Sequence, residues 1–175
     1  MVKQELLAQL ENAKNNYILG LAALSLFNSQ ETYHILDKLN CVFGSYNIKF
    51  DTVVNLHRKE EDRYIALNEF LRMLLRALIK ETFEVIKDYC DASGQISSFK
   101  AQSFYHVARM IRNCLSHNFR FIFNTYDMTL LPVNWKGRTI TTSMNGTFLE
   151  RSFFGYVESW ELFTELQSFA RDILV

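Results

Sequence analysis

Arg112 and His117 carry the side-chain chemistry of this chain most easily put to work, and they enclose four residues in the stretch IRNCLSHNF at 111–119. Histidine changes charge near neutral pH, whereas arginine stays cationic throughout. The spacing limits how they can cooperate. On an ideal helix, five residues turn through about 140° and rise about 7.5 Å, with Asn113 lying between the two in angle. The pair therefore does not stack. Their long side chains either converge on a ligand above the polar face or complete a site with a second copy of that face across a twofold axis. His117 also falls near a helix end, where the C-terminal dipole favours its protonated form.

These residues must be positioned by a helix, expected to start at Ser97 or Ser98, both good N-caps, and to run to about Asn118. Stepping 100° per residue gathers Phe104, Val107, Ala108, Ile111, Cys114 and Leu115 on one side. Tyr105, His106, Arg109, Arg112, Asn113, Ser116 and His117 fall on the other. Cys114 reads as core, not as a nucleophile. His106 lies on the polar side about 16 Å along the axis from His117, too far to share a proton transfer within one chain. It reads as a surface or packing residue, with the alternative that in a dimer it reaches the partner's site.

The chain has 19 basic and 19 acidic residues, so its total charge announces no polyanionic partner. One local patch stands out. Between Asp91 and Asp127 there is no acid, while Lys100, Arg109, Arg112 and Arg120 accompany His106 and His117. Phe99, Phe104, Tyr105, Phe119, Phe121, Phe123 and Tyr126 interleave them. Some of these rings must be core, but an exposed one can stack a base of an unpaired strand. Arg109 is read either as a phosphate contact or as a salt-bridge partner.

The remaining elements form the scaffold. At 175 residues and 49% hydrophobic, with no Pro/Gly/Ser-rich linker, the chain reads as one folded domain, 1–175. Leu6, Leu7, Leu10, Ala13, Tyr17, Leu21 and Leu24 mark a helix over about 2–27, and Ile35, Leu36 and Leu39 a short second one after Asn28 and Ser29. The stretch 41–49 reads as a connection through Gly44, Ser45 and Asn47. A helical pattern then runs over about 53–89, with the mixed charge run RKEEDR at 58–63 as a solvated junction and DASG at 91–94 as its end. Short runs at 130–135 and 138–142 around Lys136-Gly137 predict a β-hairpin, about 129–143, serving as a lid or interface element. Asn145-Gly146 marks a further turn. A last helix over about 153–174 carries Phe154, Val157, Leu162, Leu166, Phe169 and Ile173. The expected fold class is all-α: an up-and-down bundle of four to five helices with a small hairpin before the last.

Several function classes find no support. Cys41, Cys90 and Cys114 lack CxxC spacing, so neither a disulfide framework nor a zinc site is indicated. No phosphate-binding glycine loop and no HExxH box appear, and no metal or cofactor is expected. The N-terminal MVKQELLAQLENAK lacks the order of a secretory signal, and the longest apolar run, 17–27, is too short to span a bilayer, so a cytoplasmic protein without membrane contact is expected.

On these residues the chain resembles the HEPN superfamily. Arg112, the polar Asn113 and His117, in RNCLSH on a late helix of a small α-bundle, are similar to its R-x4-H motif, in which the residue after the arginine is typically Asn, Asp or His. The hairpin at 130–142 is not part of the minimal four-helix pattern. The resemblance implies a metal-independent endoribonuclease of toxin or defence type, active as a homodimer with a composite site, with a nucleotidyltransferase antitoxin as a further partner. It implies Arg112, Asn113 and His117 as catalytic residues; the polar face and basic patch around them offer Tyr105, His106, Arg109, Ser116 and Arg120 as RNA contacts. RNA cleavage by its own 2′-hydroxyl would use His117 for proton transfer and Arg112 to hold phosphate oxygens, with Asn113 orienting the imidazole or the phosphate. The alternative is a non-catalytic HEPN-type module that holds RNA, a nucleotide or a protein on the same face. A plain structural reading also stands, with Arg112 an exposed helix residue and His117 capping the helix.

Overall fold

The computed structural model describes residues 1–175, the side chain of His57 apart. The fold is mostly helical, with eight α-helices and two small hairpins among the described residues. In chain order these are α1 (Lys3–Leu26), α2 (Gln30–Leu36), β1 (Asn40–Phe43), β2 (Tyr46–Lys49), α3 (Asp51–His57), α4 (Glu60–Ala92), α5 (Ile96–Lys100), α6 (Tyr105–Ser116), α7 (Thr125–Leu130), β3 (Val133–Trp135), β4 (Arg138–Ile140) and α8 (Tyr156–Asp172). No helix among the described residues is long and apolar enough to cross a membrane. The chain divides into two compact units, one of Met1–Asn15 with Leu75–Val175 and the other of Asn16–Leu74.

In the smaller unit, α2 and α3 bracket the β1–β2 hairpin, which pairs Asn40 with Lys49 and Phe43 with Tyr46. Residues 41–49 are thus a hairpin and not the expected connection. Gly44, at φ 56, opens a two-residue turn that matches the twist of its strands. Val42, Phe43, Tyr46 and Ile48 are exposed. On α1, Gly20 allows close approach of α4, because a Cβ there would lie 2.4 Å from Leu74 Cδ2.

The larger unit carries the Arg112–His117 stretch and is built on an aromatic cluster. Phe99 of α5 lies 5.3 Å from Phe83 of α4, 4.9 Å from Tyr105 of α6 and 5.1 Å from Phe169 of α8, centroid to centroid. Phe104 joins it, 6.4 Å from Phe99 and 6.2 Å from Phe169. This cluster explains why one expected helix is two. Residues five apart on a continuous helix diverge by about 140°, so Phe99 and Phe104 could not enter one core from it. The chain instead breaks between α5 and α6, and Ser97 and Ser98 lie inside α5 instead of capping the longer helix.

After α6 the chain pairs with a later segment: Phe121 N–H donates to Thr147 O at 3.0 Å, Gly146 N–H to Phe121 O at 2.7 Å and Leu149 N–H to Phe119 O at 2.7 Å. The unexpected α7 follows, started by a capping box in which Asn124 and Asp127 bond each other's backbone N–H at 2.8 and 3.1 Å. The β3–β4 hairpin forms where expected, with Lys136 and Gly137 both left-handed at φ 46 and 78. It is fastened to α8. Arg138 pairs with Glu158, and Trp135 Nε1 donates to Glu165 at 2.7 Å.

Helix α8 starts later than expected, after Gly155. Leu162, Leu166 and Phe169 are buried as read, whereas Val157 and Ile173 are exposed and Leu174 takes the buried place. Phe99 is fully buried at the centre of four rings. Phe99→Ala should therefore cost about 3–5 kcal/mol, read as a lowered midpoint in urea unfolding; a change below about 1 kcal/mol would show that the cluster does not hold the larger unit.

Candidate functional site

Helix α6 is covered on more than one side. Seven of its 12 residues are buried, among them Val107, Ala108, Ile111, Cys114 and Leu115 of the expected apolar side, and the sixth, Phe104, is buried just before the helix. Tyr105 is also buried, which corrects its assignment to the polar face. An ideal helix places Tyr105 and Arg112 only about 20° apart, and Phe83 lies under both: 5.9 Å from the Tyr105 ring and 5.1 Å from the Arg112 guanidinium carbon. Packed among Phe83 and Phe99, Tyr105 cannot offer its ring to a base. Burial raises its hydroxyl pKa, with the Arg109 charge opposing.

Arg112 is held on three sides. Its guanidinium stands over Phe83, Nη1 donates to Asn113 Oδ1 at 2.8 Å, and Nε lies 3.1 Å from Glu84 Oε1. The Nε contact is an ion pair by distance but lacks hydrogen-bond direction, so this buried N–H is left without an acceptor. Asn113 engages Arg112 and not the imidazole.

His117 is the C-cap of α6. Its backbone N–H donates to Asn113 O and Cys114 O, both at 3.1 Å, while its side chain is exposed and makes no hydrogen bond among the described residues. Capping thus falls to the backbone, and the imidazole is available to solvent or a ligand. Asn118 and Phe119 then adopt left-handed backbone at φ 54 and 62. Two successive non-glycine residues in that region cost about 1–2 kcal/mol each. They turn the chain sharply, sending Phe119 inward and leaving His117 on the rim.

The expected basic patch is smaller than its residue types imply. Arg109 pairs with Asp127, their side chains 18% and 2% exposed, and lies 4.9 Å above the Tyr126 ring. It is a part-buried structural cation, tied to the buried Asp127 and joining α6 to α7, which corrects its assignment as a phosphate contact. His106 keeps an unbonded, buried Nδ1, and burial, then Arg109, lowers its pKa, so it is neutral at pH 7. Ser116 Oγ donates to Arg112 O at 3.0 Å. Arg120 is exposed, with its guanidinium 3.7 Å from the Phe148 ring and a bond to Gly146 O at 3.1 Å. It remains a cation on the surface.

Sequence reading missed Glu84 on α4, which lies too far along the chain for local spacing to connect it with Arg112. The structure thus brings Arg112, Asn113 and Glu84 together and places His117 one helical turn further on. No group of three or more His, Cys, Asp or Glu among the described residues could hold a metal ion. The chain matches no protein-family model, no curated protein and no solved structure.

Two outcomes follow. Asp127→Asn keeps the shape but leaves Arg109 uncompensated, so it should cost about 3 kcal/mol in thermal or urea unfolding; unchanged stability would mean that water already neutralises Arg109. Burial pushes the Cys114 thiol up to about 12, and burial with Asp91 pushes Cys90 up to about 11. Both stay protonated at pH 8. Iodoacetamide there should therefore modify the part-exposed Cys41 first, and prompt labelling of Cys90 or Cys114 by mass spectrometry would contradict their packing.

Proposed function

We propose that this chain is a metal-independent endoribonuclease of HEPN type that works through Arg112 and His117. The observation carrying the reading is the combination on one helix end: a guanidinium oriented by Phe83, Asn113 and Glu84, next to an exposed imidazole with no partner of its own. Such an arrangement supplies a positive charge held in place beside an imidazole that the fold leaves free to carry a proton.

In the reaction, neutral His117 takes the proton of an RNA 2′-hydroxyl, and the freed oxygen attacks the adjacent phosphorus. A bond from phosphorus to the 2′-oxygen forms as the bond to the 5′-oxygen breaks. That leaving oxygen takes a proton from a second, protonated imidazole, His117 of a twofold-related copy. Arg112 holds the non-bridging oxygens while charge builds on them. The products are a 2′,3′-cyclic phosphate and a 5′-hydroxyl, and DNA is refused because it lacks the nucleophile. Asn113 acts on Arg112, and Arg120 is the RNA contact among the remaining expected residues that keeps an exposed charge. In this role the protein acts in the cytoplasm as a homodimer, with an antitoxin as its regulator.

One observation favours the non-catalytic alternative, in which the same face only binds RNA, a nucleotide or a protein: Glu84 already stands against the Arg112 charge. Labelled RNA incubated with the protein in EDTA separates the two. Cleavage to cyclic-phosphate ends should proceed, and His117→Ala and Arg112→Ala should each lower the rate about 10²-fold or more. Intact RNA with wild-type protein, or full activity in both variants, rejects the catalytic reading. Sedimentation tests the dimer, which a fully active monomer would exclude.

A further inference from the structure

Arg76 on α4 is a part-buried arginine that the R-x4-H stretch does not include. Its position follows from two contacts. Glu84 of α4 meets Arg112, and Arg76, two turns earlier, meets Asn118, so α4 and α6 run antiparallel and the start of this stretch of α4 lies beside the end of α6. Arg76 therefore stands next to the residue that follows His117.

The bonding of Arg76 is incomplete. Its guanidinium packs over the Phe119 ring at 5.0 Å, and Nη2 reaches Asn118 Oδ1 only at 3.5 Å. Its Nε is buried without a partner. Arg109, Arg112 and Arg138 each face a carboxylate, of Asp127, Glu84 and Glu158, whereas no carboxylate of the described residues lies within ion-pair distance of Arg76. An arginine offers five N–H donors in a planar fork suited to two oxygens of one phosphate. A buried donor left without an acceptor is costly, so the bonding of this guanidinium within the fold is incomplete. Lys80, one turn along the same face of α4, is exposed and adds to the local positive charge.

We propose that Arg76, with Asn118, forms a second phosphate-binding notch that holds an RNA backbone phosphate flanking the one at Arg112. This rests on the reading of RNA as the substrate. Eight residues separate Arg76 from Glu84, about 12 Å along α4, so the two arginines grip different phosphates. Asn118 contributes through its left-handed backbone, which sets its side-chain amide against Arg76, where the amide N–H can join the guanidinium on one phosphate. Phe119 supplies the floor, a ring face that fixes the guanidinium plane. Because the notch holds a phosphate that does not react, Arg76 contributes to binding of substrate and transition state alike.

Binding of a 2′-O-methyl oligoribonucleotide, which cannot be cleaved, tests the notch independently of catalysis. Arg76→Gln retains most of the side-chain stem over Phe119 and removes the charge. It should weaken binding about tenfold while the unfolding midpoint stays within a few degrees of wild type. Arg76→Lys should recover part of the loss. On cleavable RNA, Arg76→Gln should raise KM with kcat nearly unchanged, in contrast to the loss of kcat in His117→Ala. Equal affinity in wild type and folded Arg76→Gln overturns the notch, and so does a loss that Arg76→Lys leaves unrestored, since packing would then be the cause. If Arg76→Gln does not fold, the comparison of Arg76→Lys with Lys80→Gln decides, and unaltered binding in both overturns the proposal. Binding that depends on Arg76 without any cleavage by wild type would support the notch while rejecting the nuclease reading.

Discussion

The structure of the larger unit depends on the requirement that Phe99 and Phe104 share one core. A single helix through both would point them apart, so the chain gives up helical hydrogen bonds between α5 and α6 and recovers the burial of two large rings. Burial of one such side chain is worth about 1.5–3 kcal/mol, which exceeds the net value of a backbone hydrogen bond or two. The consequence reaches Arg112. With α6 starting at Tyr105, Phe83 lies beneath both Tyr105 and Arg112, and the guanidinium inherits a fixed floor from the core.

Charge in this region is divided by burial. Arg109 and Arg138 are spent on the fold, each closing an ion pair with a carboxylate that also caps a helix: Asp127 for α7 and Glu158 for α8. Arg112 is intermediate, paired with Glu84 yet retaining an unbonded N–H. Arg76 and Arg120 rest on aromatic faces, which orient a cation without neutralising it. This gradation, from buried pair to bare charge, leads toward the end of α6 and the exposed His117.

Much of the scaffold was legible because it follows simple periodicities. The stripe on α1 and the apolar side of α6 obey helical spacing, and the β3–β4 hairpin follows from Lys136-Gly137 between short apolar runs. Where local signals were ambiguous, reading failed. Gly44-Ser45 between CVF and YNIK is also a two-residue hairpin turn, but with turn residues spread over 44–47 it looked like a loop. The capping box of α7 has Asp127 in the place usually taken by Glu or Gln. Of the site, Arg112, Asn113 and His117 were legible as a spacing, whereas Glu84 and Arg76 reach it only through tertiary packing. Tyr105 and Arg109 were misplaced for the same reason: a helical wheel knows one helix, and their surroundings come from α4, α5 and α7.

The sharp turn after α6 also leaves no slack. His117 N–H closes the helix, Arg120 N–H returns to His117 O at 3.1 Å, Leu149 bonds Phe119, and Phe121 already belongs to the pairing with Thr147. Every residue from 117 to 121 thus holds a backbone bond or, at Asn118, a strained conformation beside Arg76. An extra residue could not bulge outward as it would in an ordinary surface loop; it would have to unwind the helix end or slip the pairing. The length of this joint is therefore as much a determinant of the site as the identity of its residues.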